Sequence, residues 1–177
     1  MRRLIGLLVL ICLSQSRTFP SHDTLCETQE VLKVASCIGD RFELSLLASV
    51  LQKSHRESAK QLQEASREGT ILPLDVSYKV AETLETEMNS EIQLAGYKFI
   101  HDRIQQAANT LLSEEERVSN HVKIGKALLG GIDSESLQEK IFEIVNHLNY
   151  GLDTLESTEE KSQLLDLNYK AGMRAVF

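Results

Sequence analysis

The densest group of side chains able to do chemistry is Phe99-Ile100-His101-Asp102-Arg103. An apolar, strand-like run meets a histidine, an acid and a base where a helix begins. Asp102 at a helix N-terminus is favoured by the helix dipole and can cap the exposed amides there. The imidazole of His101 can offer a ring nitrogen to a phosphate or a carboxylate. The plainer alternative is a cap plus a surface ion pair, a pairing worth at most about 1 kcal/mol.

Other chemical signatures are missing from the sequence. There is no Gly-x-x-x-x-Gly-Lys-Ser/Thr phosphate loop, no Gly-x-Ser-x-Gly, no His-Glu-x-x-His and no Gly-x-Gly-x-x-Gly. Lys123-Ile124-Gly125-Lys126-Ala127 echoes a phosphate loop only superficially, because it lies mid-helix with no strand before it. His22, His55, His101, His121 and His147 show no metal-ligand spacing, so each reads first as a surface or packing histidine. No residue is assigned to catalysis or to a metal.

The elements that must position His101 follow from hydrophobic spacing. Leu25, Val31, Leu32, Ala35 and Ile38 recur at helical period and Gly39-Asp40 stops that helix. Phe42, Leu46, Leu47, Val50 and Leu51 mark a second, shorter helix. Ser54 can cap a third, with Ala59, Leu62 and Ala65 inward and Gly69 at its end. Ile71-Leu72-Pro73-Leu74 reads as a short strand, at a sheet edge because proline cannot donate. Residues 75–94 read as an acidic loop with a marginal helix near residues 78–87. Tyr97-Lys98-Phe99-Ile100 reads as a second strand. Three helices and two strands outline a winged helix.

The remainder is helical throughout. Ile104, Ala107, Ala108, Leu111 and Leu112 form one stripe, and Val118, Val122, Gly125 and Leu128 form another. Leu137, Ile141, Ile144, Val145 and Leu148 form a third, and Leu164, Leu167, Ala171 and Ala175 a fourth. Ser113-Glu114-Glu115-Glu116 and Ser157-Thr158-Glu159-Glu160 are capping-box patterns. Helices of this length joined by short turns suggest stacked antiparallel pairs of tetratricopeptide (TPR) type, although no clean repeat of about 34 residues is present.

The chain has 177 residues, 42% hydrophobic and 25% charged, with 5% aromatics, two prolines and no tryptophan. That composition fits a mainly helical globular protein. Its net charge of −7 argues against a general nucleic-acid binder, which needs a basic face. In the third helix His55, Arg56, Lys60 and Arg67 are nearly balanced by Glu57, Glu64 and Glu68, which argues against docking on a phosphate backbone.

Met1-Arg2-Arg3 precedes a ten-residue apolar run from Leu4 to Leu13, with Ser14 and Ser16 behind it. This is the layout of a secretory signal peptide, and equally of a buried helix or an artefactual start. It is too short for a stable span, which needs about 20 residues. Cys12 lies in the run. Cys26 and Cys37 share one helical stretch and cannot reach each other, so reduced thiols and a cytoplasmic setting are expected.

Tyr97-Lys98-Phe99-Ile100-His101-Asp102-Arg103-Ile104-Gln105-Gln106-Ala107-Ala108 resembles a signature of large multidomain signalling ATPases of the AAA/STAND type. Those proteins join a serine/threonine-kinase-like domain, a P-loop ATPase, helical repeats, a GAF domain and often a histidine kinase. Thr28 to Gly39, Ser113 to Gly125, Ile141 to Asn149 and Leu167 to Gly172 resemble the family in the same order, over about residues 24–176. The P-loop, Walker B and kinase motifs of that family are absent, so the resemblance is to an internal piece.

The resemblance implies a mainly α fold. Residues 1–21 are the leader, 22–103 a winged-helix-like domain with a short two-stranded wing, and 104–177 a truncated array of antiparallel TPR-like repeats. It implies a non-catalytic regulatory and protein-interaction fragment without a cofactor of its own, ATP and ADP belonging to the parent family. His101 and Asp102 are similar to the family's ADP-sensing Met-His-Asp motif, with Ile100 in place of Met. With Arg103 they would form a nucleotide-sensing latch acting in trans on a P-loop ATPase domain. Protein partners through the repeats are expected; nucleic acid and a stable membrane span are not. The alternative is a small secreted helical protein with a cleaved leader.

Overall fold

The computed structural model describes residues 22–74 and 95–176. The leader, Cys12 and the 75–94 segment, where a loop with a marginal helix is expected, lie outside the described residues. The protein is mainly helical with a small three-stranded antiparallel sheet. It divides into two compact units, one through Ser113 and one from Glu114.

In the first unit, α1 (His22–Ile38) buries Val31, Leu32, Val34, Ala35 and Cys37. The chain turns at Gly39-Asp40 into β1 (Arg41–Glu43), where only Phe42 points inward. The second helix is therefore shorter than its apolar spacing suggests: α2 (Leu44–Leu51) starts after Phe42, burying Leu44, Leu47, Ala48 and Val50. It ends on Gln52 in the left-handed region, φ 55° and ψ 39°. A side chain there costs about 1–2 kcal/mol that glycine avoids.

α3 (His55–Arg67) begins with a complete capping box. The Glu57 amide donates to Ser54 Oγ at 3.2 Å, and the Ser54 amide donates to Glu57 Oε2 at 3.1 Å. The Ser54 hydroxyl, donating to Glu57 Oε2 at 2.9 Å, and then the Ser54 amide hold the Glu57 carboxyl below its usual range. Ser58, Ala59, Gln61, Leu62 and Ala65 face inward. Thr70 closes the far end, its hydroxyl donating to the Ala65 carbonyl at 2.7 Å.

β2 (Ile71–Pro73) and β1 both pair with β3 (Gly96–Phe99), so the sheet order is β1-β3-β2. The expected two-stranded wing is a three-stranded sheet, because Arg41–Glu43 alternates outward-inward-outward and supplies a second edge. Phe42 lies opposite Tyr97, and Ile71 opposite Phe99. The Phe42 ring stacks on Tyr97 at 5.9 Å and tilts against Phe99 at 5.8 Å. Pro73 sits on an edge strand, as its missing donor requires.

α4 (Asp102–Thr110) packs on α1. Gln105 Nε2 donates to the Ser36 carbonyl at 3.2 Å, Asn109 Nδ2 donates to Cys37 Sγ at 3.8 Å, and Ala108 is buried. These contacts place α4 in the first unit, so the division falls at Ser113 rather than at residue 103.

The second unit holds α5 (Glu114–Gly130), α6 (Ser134–Tyr150), a 3-10 turn (Leu152–Thr154) and α7 (Thr158–Val176). Its pairings run Glu114 to Tyr150 and His121 to His147, so α5 and α6 are antiparallel. Asp133 caps α6 by accepting from the Ser136 amide at 2.8 Å. Ser157 caps α7, while Glu160 of the expected capping box reaches Lys126 at 2.6 Å instead. α6 and α7 are joined by reciprocal amide bonds of 2.9 Å between Asn149 and Asn168. Ile124, Leu128, Ile141, Ile144, Leu148, Leu155, Leu164 and Leu167 form the core. Val118 and Val122 are only half-buried and line a groove of about 470 Å³ with Lys123, Lys126 and Thr154.

The α5–α6 approach depends on the absence of side chains. A Cβ on Gly125 would lie 2.7 Å from Leu148, and one on Gly151 would lie 2.1 Å from Val122 Cγ2. Helix propensity alone favours alanine over glycine by about 1 kcal/mol. Crowding Leu148 reverses that sign, so Gly125→Ala is expected to destabilise the protein by about 1 kcal/mol or more. Gln52→Gly relieves the left-handed residue and is expected to stabilise by about 0.5–1 kcal/mol. Urea unfolding of the two variants beside the parent chain reads both signs.

Candidate functional site

β3 carries the chain to His101. Just before it, the Phe99 amide donates to the Asp40 carbonyl at 2.9 Å and the Ile100 amide donates to the Thr70 carbonyl at 3.1 Å. The backbone is thus held from both sides before it turns into α4. His101 is the N-cap of α4, in extended geometry at φ −141° and ψ 141°, and its side chain makes no cap hydrogen bond. Its carbonyl accepts from the Ile104 amide at 2.9 Å. Asp102 is the first helical residue, so its carboxylate acts through the dipole from the first turn and the cap position falls to His101 instead.

His101, Asp102 and Arg103 are all exposed. The structure brings an imidazole, a carboxylate and a guanidinium to one open corner at the end of β3. Such a corner can touch an anion presented from outside. Among the described residues nothing encloses these three side chains as a small-molecule site would.

A second cluster, which sequence spacing does not reveal, lies between α5 and α6. His121 Nδ1 and His147 Nδ1 are 2.8 Å apart, so one ring donates and the other accepts. The His121 ring stacks on Tyr150 at 4.3 Å. Tyr150 donates its hydroxyl proton to Glu114 Oε1 at 3.1 Å, and Arg117 Nη1 donates to Glu114 Oε2 at 2.6 Å. The two histidines are 26 residues apart, on separate helices. Only the hairpin pairing of α5 with α6 makes them neighbours. Among the described residues no group of three or more His, Cys, Asp or Glu side chains is placed to hold a metal ion.

His147 is 6% exposed. Burial, and then the neighbouring His121 charge, pushes its imidazole down to about 4 from 6.5. Burial and then Arg117 lower His121 also, partly opposed by Glu114. Between these values the unfolded chain binds protons that the folded chain does not. The stability gained from the neutral pair is therefore complete above about pH 6.5 and is lost as the pH falls towards 4. Thermal melts between pH 7.5 and about pH 4.5 are expected to show a falling midpoint. His147→Leu is expected to flatten that slope, and an unchanged slope would remove the histidine pair as its source.

Among the described residues no helix is long and apolar enough to cross a membrane. No family model and no solved structure matches the chain. The chain is similar to the hybrid signal transduction histidine kinase G of Dictyostelium discoideum, 28% identical over 184 residues. The match covers 84% of this chain and 5% of that protein, so the chain spans about one twentieth of the length of the curated relative it matches. The similarity relates the chain to a signalling protein.

Proposed function

We propose that the chain is a non-catalytic regulatory and protein-interaction segment of a signalling ATPase of the STAND type. In this reading the first unit is a winged-helix-type module that senses nucleotide state, and the second is a TPR-like scaffold for protein partners. The observation that carries it is the exposed His101-Asp102-Arg103 corner, held by β3, in a chain similar over most of its length to a signalling histidine kinase. A cytoplasmic setting accords with the buried thiol of Cys37.

ADP or ATP would be held by a P-loop ATPase domain acting on this corner in trans. The residues fit that limited role. His101 makes no cap hydrogen bond of its own, and Arg103 brings a positive charge beside it. The open corner suits contact with a phosphate edge, and the sequence contains no phosphate loop that could hold a nucleotide. His101 would donate to the β-phosphate of ADP, a charge-assisted hydrogen bond. Asp102 would steady the start of α4, and replacement of ADP by ATP would release the contact. The coupling is a difference in affinity between two nucleotide states.

Two measurements test this reading. Phosphate release from ATP by the purified chain is expected to equal that of a His101→Ala control; release above the control overturns the non-catalytic assignment. The chain is also expected to bind a STAND-type P-loop ATPase domain more tightly with ADP than with ATP. His101→Ala is expected to weaken the ADP-state complex about tenfold, roughly 1.4 kcal/mol. Equal binding in both nucleotide states would overturn the latch.

A further inference from the structure

α7 presents two apolar faces. Leu164, Leu167 and Ala171 are buried against the rest of the second unit. Leu165, Tyr169 and Met173, spaced four residues apart, are 71%, 68% and 45% exposed. At about 100° per residue this second stripe stands roughly 165° round the helix from the first. Scattered exposed apolar residues need no explanation, but a continuous stripe at helical spacing marks an interaction face.

The charges beside the stripe indicate what covers it. α7 carries Glu159, Glu160 and Asp166 against Lys161, Lys170 and Arg174, so it has no net charge in a chain of net −7. Two copies can therefore approach through α7 without adding repulsion there. Asp166 and Lys170 lie along one edge of the stripe, 2.6 Å apart, with side chains 59% and 53% exposed. In an antiparallel helix pair each edge faces the same edge of the other helix. A two-fold axis at Tyr169 would set Leu165 against Met173 of the second copy and Asp166 beside its Lys170. A parallel pair would set this edge against Lys161 and Asn168, where Asp166 meets a cation but Lys170 meets no acid.

We propose that the outer face of α7 pairs with α7 of a second copy of this chain, antiparallel, through Leu165, Tyr169 and Met173, with Asp166 and Lys170 meeting across the two-fold axis. The inference rests on reading the second unit as an interaction scaffold and is independent of the His101 latch.

Sedimentation equilibrium of the full chain over a wide concentration range tests it. The mass is expected to rise from 19.9 kDa towards twice that value. Tyr169→Glu, at a site exposed in the single chain, is expected to raise the dissociation constant at least about tenfold with unchanged far-UV circular dichroism. Asp166→Lys and Lys170→Asp are each expected to weaken the dimer, and the combined reversal to restore it. A chain that stays monomeric throughout overturns the proposal. So does a dimer indifferent to Tyr169→Glu, or a double reversal no tighter than either single change. His101→Ala is expected to leave the dimer intact, so failure of the latch and failure of the α7 pairing are read separately; a dimer lost on that change also overturns the α7 assignment.

Discussion

A strand with two partners must satisfy hydrogen bonds along both its edges, and in the first unit that demand falls on β3. Four residues, Gly96–Phe99, join β1 to β2. Their inward side chains, Tyr97 and Phe99, meet Phe42 from one neighbour and Ile71 from the other. The same pairing extends past the strand, where Asp40 and Thr70 take the Phe99 and Ile100 amides. His101 therefore stands where the sheet and α1 jointly put it. A short exposed segment gains a defined position from the buried network beneath it.

The second unit solves a different problem with the same economy. Glycines at positions 125 and 151 let α5 and α6 approach closely, and the helices bring two histidines into one part-buried contact. The gain is tight packing. The cost is a polar pair that is satisfied only while at least one ring keeps an unprotonated Nδ1. Tyr150 and Glu114 sit beside that pair at the exposed rim, so part of its surroundings is wet. The acid sensitivity expected of the unit and its close packing therefore have one origin, the α5–α6 seam.

Much of the fold is legible in the sequence because helices announce themselves through period and caps. The stripe at Val31, Leu32 and Ala35, the Ser54 cap and the helix carrying Leu137 to Leu148 all appear where spacing puts them. β1 does not, because three residues with one apolar centre cannot establish an alternation, and Phe42 also fits the helical stripe that follows. The Ile104–Leu112 stripe gives a helix but not its neighbour; that α4 packs on α1 is decided by Gln105 and Asn109 reaching Ser36 and Cys37. At the candidate site the helix start is legible and the cap is not, since Asp102 is the better capping type while the backbone gives that position to His101. The histidine pair is hidden for the reason most long-range contacts are: nothing local links residue 121 to residue 147.

The placement of β3 in the middle of the sheet has a consequence for how the protein is made. β1 and β2 are synthesised first, yet they are not neighbours and depend on a strand translated later. Until Gly96–Phe99 leaves the ribosome, both short strands wait with unpaired amides and carbonyls, and Phe42 and Ile71 lack their aromatic partners. The helices α1 to α3 can form as they emerge, since their contacts are local. The sheet can be complete only once β3 is available, and β3 also leads into the His101 corner. A nascent chain arrested before residue 96 would hold the helices without the site.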